Sequence, residues 1–594
     1  MSVSGWMSQT NKEYIASLIP ENLPNWEDGW KEGFEQGKQI PYCQTRFCKA
    51  QGVKDEVEFR LKQAKEGKMT WRIIMGLSSV EEQVRGMKAL EKFNEDTGLS
   101  VHVAHQVPSL LTATPREKRA DVAKALSYLL DYPEDWEKIA NCTDIQPGFN
   151  DDHIGSPNAY YNTINALKVG NTFNGIVSQF AWGWDGCPDD VENLYENIRA
   201  MGLMAAKHKE NAVVDSYMDD AIPAYFLDLA SYLAWGKMEK YIVSDLCKAR
   251  YAYSYGHYET KLIAKMALWL AASDLFGSEE QPGLSFIQAN SIDHWDQYLD
   301  ANYGFLIPEA LMAILVERKY KTGVSWLTIP ITEKVTVPTV EGIINMTAAC
   351  QRAEEYADDY YKLIDFTEIE KLRDRFKEFA DNMFNNMMIG LKEAGVDINN
   401  PLELMVVFKR MDPSKIEQFF HPTIANEGKD EIEPLVKATL WERSFKERDE
   451  IVSRVDTPSI RTKLKEKEIL VVSGDVHSFG GFVITSVLSE LGANAVNGGV
   501  SIEPIDALDL ADEMDIDTIC ISVHNGQALE YSNIITKLAE NRRKKYNMFM
   551  GGNLMSFLQE GDTEPGDATE LIEKTGIKTT ETADKLVALL ADNV

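Results

Sequence analysis

The sequence is short of positive charge. It sets 61 lysines and arginines against 93 acidic residues, a formal net charge of −32 over 594 residues. A surface this acidic repels phosphate backbones and anionic lipid, which argues against nucleic acid and membranes as partners. Cysteine is scarce and odd in number: Cys43, Cys48, Cys142, Cys187, Cys247, Cys350 and Cys520. Such a scattered set in a long chain argues against a disulfide scaffold. Cys43-x4-Cys48 has the spacing of half a metal site, but no second Cys or His pair accompanies it, so the two read as ordinary thiols. No stretch reaches the ~18 apolar residues of a membrane span. The opening MSVSGWMSQTNKEYIASLIP lacks the basic region and apolar run of a secretory leader. A reducing cytoplasm is the expected setting.

What is present is ordinary globular material, 44% hydrophobic and 26% charged. The length allows about two to four domains. Residues 1–70 form an aromatic-rich N-terminal segment. From residue 71 short apolar runs alternate with amphipathic stretches. Strands are expected at Trp71–Met75, Val101–Gln106, Lys138–Thr143, Asn174–Phe180, Ala212–Tyr217, Lys240–Leu246, Leu284–Asn290 and Val324–Ile329. Helices are expected at Ser79–Phe93, Arg116–Leu130, Asp189–Lys207, Ala224–Trp235, Thr260–Phe276 and Pro308–Lys319. Eight strands alternating with helices is the pattern of a (β/α)8 TIM barrel over 71–345. A long doubly wound sheet gives the same alternation. Residues 346–455 read as a helical extension, with EKLRDRFKEFADNMFNNMMIGLKEAG at helical spacing, and the charged stretch 456–467 as a linker. A second α/β alternation fills 468–594, with strands at Ile469–Ser473, Asn494–Asn497, Thr518–Ser522 and Asn547–Met550. That predicts a small Rossmann-like (flavodoxin-like) domain.

The first strand of that last domain runs into Gly474-Asp475-Val476-His477-Ser478, followed by Gly480. A loop beyond a strand's carboxyl end is where open α/β sheets place ligands. His477 can offer an imidazole nitrogen to a metal there. Asp475 can take the proton on the other ring nitrogen, which orients the ring and raises its basicity. Gly480 lets a bulky ligand approach the backbone. Alone, D-x-H-x-x-G is a weak pattern. Ser522 and His524 after the third strand, and Gly551, Gly552 and Asn553 after the fourth, fall on the same edge.

The set resembles the B12-binding domain of cobalamin-dependent mutases and methyltransferases. The resemblance implies His477 as the lower ligand of cobalt, with the displaced nucleotide tail in a slot lined by Ser522 and the glycines. His524 stands where that family usually has a leucine. Over most of residues 70–594, well in the last domain and weakly in the barrel, the chain resembles glutamate mutases with barrel and cobalamin subunits fused. This implies adenosylcobalamin as cofactor and a radical rearrangement in which the cofactor carries the hard chemistry. It also implies a homodimer acting on a small molecule. Glu333 matches the family's glutamate that holds the adenosyl ribose. The family's lysine in that segment is replaced by Ile329, with Lys334 as its nearest substitute.

The substrate pocket departs from the family. Glutamate mutases clamp carboxylates with arginines at strand ends. Here the second expected strand ends in Ala104 and His105, the fourth leads to Trp182, Trp184 and Asp185, and the fifth carries Asp215 and Tyr217. The sixth is followed by Asp245, Lys248, Arg250 and His257, and the seventh by Asn290 and His294. Glu333, His105, Asp215 and Asp245 are the catalytic candidates. This aromatic, acidic set argues against glutamate itself and favours a neutral or amine-bearing substrate. A dicarboxylate fits only if Lys248 and Arg250 face inward. The alternative enzyme class is a corrinoid methyltransferase, whose helical cap the extension would mimic. A cobalamin sensor is the non-catalytic alternative, but it requires no barrel, and no basic DNA-binding helix is visible.

Overall fold

The structure is a computed structural model describing residues 6–119, 122, 127–184, 186–219, 221–256, 259–289, 295, 298–332, 339–474, 479–500, 502–524, 526–542, 544–556, 558 and 566–592. The chain divides into two compact units. One comprises 1–108, 128–181 and 189–439; the other comprises 109–127, 182–188 and 440–594.

The first unit is built on an eight-stranded parallel sheet curled into a nearly closed barrel. Its strands are β1 (Thr70–Met75), β2 (Val103–Gln106), β3 (Gln146–Gly148), β4 (Phe173–Asn174), β5 (Val213–Tyr217), β6 (Arg250–Tyr255), β7 (Leu284–Gln288) and β8 (Ser325–Thr328). The ladder order is β3-β2-β1-β8-β7-β6-β5-β4, with β1 and β8 paired. The seam lies between β3 and β4. Pro147 has no N–H to give a neighbour. The gap is bridged instead by the Asn171 amide donating to the Pro147 carbonyl (2.6 Å) and the His153 N–H donating to the Gly175 carbonyl (3.2 Å).

Three expected strands are misplaced. Asn174–Phe180 shares only Asn174 with the fourth strand, Phe173–Asn174, and Val177–Ala181 is a 3-10 turn. Lys138–Thr143 begins inside a helix, Pro133–Ala140, and the third strand follows at Gln146–Gly148. Pro133 at the first helical turn, acids behind it and buried Trp136, Ile139 and Ala140 at helical spacing dictate the helix. Lys240–Leu246 continues the helix Leu229–Lys240 as a wide π-turn, and the sixth strand follows at Arg250–Tyr255. Its tyrosines alternate with alanine and serine, but both faces are buried, so the alternation does not separate an inner from an outer face. The expected helix at Arg116–Leu130 shows only a 3-10 turn, Arg116–Lys118, among the described residues. Pro308 lies inside a longer helix, Leu299–Tyr320, rather than at its start.

Among the described residues, that last helix alone is long and apolar enough to cross a membrane. Its Glu309 pairs with buried Lys265, and its Glu317 accepts from Thr322 and the Gly323 N–H (2.8 Å), so its buried acids are satisfied inside the unit.

The helix Glu56–Lys65 plugs the amino end of the barrel. Buried Arg60 donates to the carbonyls of Gly323 (3.0 Å), Leu284 (2.8 Å) and Ser285 at the starts of β7 and β8. The helix Trp26–Gln39 docks through a glycine stripe, Gly29, Gly33 and Gly37, onto the helix Asp190–Ala206. A Cβ at Gly33 would stand 1.9 Å from the Arg199 carbonyl, and one at Gly202 would stand 2.2 Å from the Trp30 carbonyl. The two backbones touch, so neither position has room for a methyl group.

The second unit carries a five-stranded parallel sheet: β9 (Glu468–Ser473), β10 (Asn494–Asn497), β11 (Thr518–Val523), β12 (Asn547–Gly552) and β15 (Lys578–Thr580). Its order is β10-β9-β11-β12-β15. A short antiparallel pair, β13 (Met555–Ser556) and β14 (Gly566–Asp567), stands apart. Helices cover both faces. Leu470, Val472, Ile519 and Ile521 pack with Ala507, Leu508, Tyr531 and Ile535 on one side. Ile469, Val471, Cys520 and Phe549 pack with Val483, Val487, Leu586 and Leu590 on the other. A strand buried on both faces reads as a continuous apolar run, which is why β9 is conspicuous in sequence. The edge strand β15 is short and polar and carries no such signal.

Replacing Gly33 with alanine is expected to destabilise the first unit by about 1–3 kcal/mol, the usual cost of overpacking. Gly304→Ala, at an exposed helical site with open space around it, is expected to be neutral or stabilising by up to ~1 kcal/mol. Urea titration of both variants checks the contrast.

Candidate active site

The interior of the barrel is layered. Phe173, Val213 and Ala252 pack with Val57 of the plugging helix at the amino end. Toward the carboxyl end Ile176, Tyr217, Phe286 and Leu327 form a second apolar cluster with Ile74. Between Val213 and Tyr217 the strand period aims Asp215 inward as well. Around it runs a buried polar chain.

Arg72, on β1, is its hub. The guanidinium donates to Glu56 (2.9 Å), to Asn150 Oδ1 (3.1 Å) and to His105 Nδ1 (3.2 Å), and its face lies over the Phe286 ring. The Asn150 amide then donates to Asp215 Oδ2 (2.8 Å), and the Ser254 hydroxyl donates to Asp215 Oδ1 (2.8 Å). On the far side of the imidazole, His105 Nε2 meets Asp151 Oδ1 at 3.1 Å.

Donor logic fixes the proton on His105. Arginine has no acceptor, so Nδ1 must accept and Nε2 must carry the hydrogen toward Asp151. The same logic fixes His153. The Trp136 indole N–H, 3.1 Å away, can only donate to His153 Nε2, so Nδ1–H donates to the Asp151 carbonyl at 2.6 Å. Burial pushes the His153 pKa down to about 4, so this ring stays neutral. The same loop pins Asp152, whose carbonyl accepts from the Asn162 amide (2.6 Å). Burial holds the Asp152 carboxyl well above the usual carboxylate range, and the charge of Asp151 adds to that shift.

The structure thus brings His105 and Asp215 together through Arg72 and Asn150. Asp245 does not join them. It is exposed on the π-turn before β6, and its carbonyl accepts from Lys248 at 2.5 Å. The misplaced sixth strand is the reason: Asp245, Lys248 and Arg250 precede or begin β6, at the amino end of the barrel. Tyr217 donates its hydroxyl to Gln288. Trp182 and Trp184 are buried in the second unit, with rings 5.6 Å apart. Glu333, Lys334, Asp185, His257, Asn290 and His294 lie outside the described residues.

Asn150, Asp151, Asp152 and His153 escaped the sequence reading because the third strand was set too early. Their signal is the polar run Asn-Asp-Asp-His directly after Pro147-Gly148, a strand end followed by titratable residues.

The second unit presents a different feature at the carboxyl edge of its sheet. Ser473, Ser522, Gly551 and Thr580 stand side by side on β9, β11, β12 and β15. Glycines face these hydroxyls. A Cβ at Gly480 would meet Ser522 Oγ at 2.9 Å, one at Gly481 would meet Ser473 Oγ at 3.0 Å, and one at Gly551 would meet Thr580 Oγ1 at 2.9 Å. Gly552 adopts φ +108°, and His524 Cε1 would lie 3.1 Å from its Cβ. The Asn553 N–H donates to the Val523 carbonyl (2.8 Å), and the Gly474 N–H to the Ser522 carbonyl (2.9 Å). Asp475, Val476, His477 and Ser478 lie outside the described residues. No family model and no curated protein matches the chain.

The Asp215 pKa gives a test of the barrel interior. Burial raises it from 3.8 to about 6, while the Ser254 hydroxyl and the charges of Arg72 and Arg60 pull the other way. The folded state therefore binds this proton more tightly than the unfolded chain. The stability that follows is complete below about pH 4 and is lost as pH rises through 6. Wild type is expected to gain on Asp215→Asn by on the order of 2–3 kcal/mol as pH falls across that window. Parallel denaturation curves between pH 4 and 7 check this, and a flat difference would contradict it.

Proposed function

We propose that the chain is an adenosylcobalamin-dependent isomerase, a carbon-skeleton mutase acting by radical rearrangement on a small acid or amine other than glutamate. In this reading the barrel is a TIM-type substrate domain and the second unit a flavodoxin-like B12-binding domain. The order β10-β9-β11-β12-β15 supports it: numbered within the domain it is 2-1-3-4-5, the doubly wound order that binds ligands beyond the carboxyl ends of its strands.

The observation that carries the proposal is the row of hydroxyls and glycines at that edge. Side chains are pared to hydrogens at Gly480, Gly481, Gly551 and Gly552, while Ser473, Ser522 and Thr580 supply donors and acceptors beside them. This suits a flat or extended polar group laid along the sheet edge, such as a corrin's nucleotide tail, so the described residues fit the cofactor. His477 would ligate the cobalt, with Asp475 orienting its ring. When bound, the cofactor supplies the carbon-centred radical that starts the rearrangement. The barrel's own residues bind and orient the substrate. The buried walls of Phe286, Leu327 and Ile176 keep water from the reacting carbon, and Asp215 and His105 offer fixed hydrogen-bonding groups.

Hydroxocobalamin added to the full chain is expected to bind with a shifted corrin absorbance. Its chemically reduced cobalt form should show nitrogen hyperfine splitting from an imidazole, and that splitting should vanish in His477→Ala. Ser522→Leu should weaken uptake tenfold or more by filling the row, on the scale of about 1–3 kcal/mol for overpacking. No spectral change with any cobalamin would sink the proposal. Turnover with methylcobalamin and a methyl acceptor, but none with adenosylcobalamin, would transfer it to the methyltransferases.

A further inference from the structure

The charges inside the barrel balance one another. Arg60 and Arg72 are fully buried, and so are Glu56 and Asp215, giving two cations and two carboxylates within one bonded network. Asp151 stands outside that balance. Among the described residues its one ionisable partner is His105, which Arg72 holds as the neutral Nε2–H form. A neutral imidazole orients a carboxylate and does not cancel its charge. Among the described residues no lysine or arginine lies within ion-pair distance of Asp151. Its side chain is 19% exposed, against 3% for His105. It follows β3, on the carboxyl side of the sheet, where barrels of this kind hold their substrates. A carboxylate with no cationic partner among the described residues, held by a histidine whose ring meets Phe286 of the apolar cluster, suits a cation on a short apolar stem.

We infer that the substrate carries an ammonium group, that Asp151 receives it, and that His105 is the positioning residue that aims Asp151. The inference rests on the mutase reading for the reaction, and it narrows the substrate class to amines.

The chain itself points to the sharpest variant. A glutamine at position 105 can accept from Arg72 through its carbonyl and donate to Asp151 through its amide, copying the neutral tautomer. Full-length protein is titrated calorimetrically with L-ornithine, L-lysine and 4-aminobutyrate, and with glutarate and 2-methyleneglutarate, which lack the ammonium. Saturable binding is expected from at least one amine and from neither diacid. Asp151→Asn should weaken amine binding by about tenfold to a hundredfold, the range of a hydrogen bond to a charged group. His105→Ala should do the same, and His105→Gln should restore binding to near wild type. Diacid binding without amine binding, binding by no amine, or amine binding unchanged in Asp151→Asn would each overturn the inference. The amine-versus-diacid contrast on the wild-type chain stands whether or not the variants fold. Corrin absorbance recorded on the same samples separates the two proposals: amines that bind a chain unable to take up cobalamin would sink the mutase reading and leave the amine site in place.

Discussion

Arg72 can only donate, and the interior of the barrel is arranged around that fact. A buried guanidinium without acceptors costs several kcal/mol. Acceptors therefore converge on it from three places: Glu56 from the N-terminal segment, Asn150 from the loop after β3, and His105 from β2. Each acceptor is then constrained in turn. Glu56 ties the plugging helix to the strands. Asn150 must present its oxygen to Arg72 and so turns its amide toward Asp215. His105 must present a bare nitrogen and so sends its hydrogen outward to Asp151. One donor-only side chain sets an amide orientation, a tautomer and the place of a carboxylate.

That dependence also explains what the sequence could tell and what it could not. Strands β1, β2, β5, β7 and β8 lie within a few residues of their expected spans, while β4 shares only Asn174 with its own. β3 and β6 lie later than expected, because a strand buried on both faces need not be apolar: Gln-Pro-Gly and Arg-Tyr-Ala-Tyr-Ser-Tyr are both fully or mostly buried. The cost fell on the site. His105 and Asp215 stand on strands that lie where the sequence puts them, and both join the buried polar chain. Asp151 and Asp245 flank strands that lie later than expected, and only Asp151 joins it. The glycines of Trp26–Gln39 recur every four residues in plain view, but their role depends on a partner helix far along the chain.

The second unit shows the opposite case. Both faces of its sheet are covered, so β9 and β11 announce themselves as apolar runs, and their ends bracket Ser473 and Ser522. What periodicity does not reveal is that four strands bring a hydroxyl or a glycine to the same level, since that is a matter of register.

The seam between β3 and β4 has a consequence for how the barrel tolerates change. Elsewhere the cylinder is held by ladders of backbone bonds that any side chain permits. At the seam the ladder stops, and besides the bonds from Asn171 and the His153 N–H a side-chain bond runs from Asn150, after β3, to Asp215 on β5, passing over β4. One rivet of the cylinder is thus made from two residues of the buried polar chain. Substitution at Asn150 or Asp215 alters the interior and loosens the hoop together.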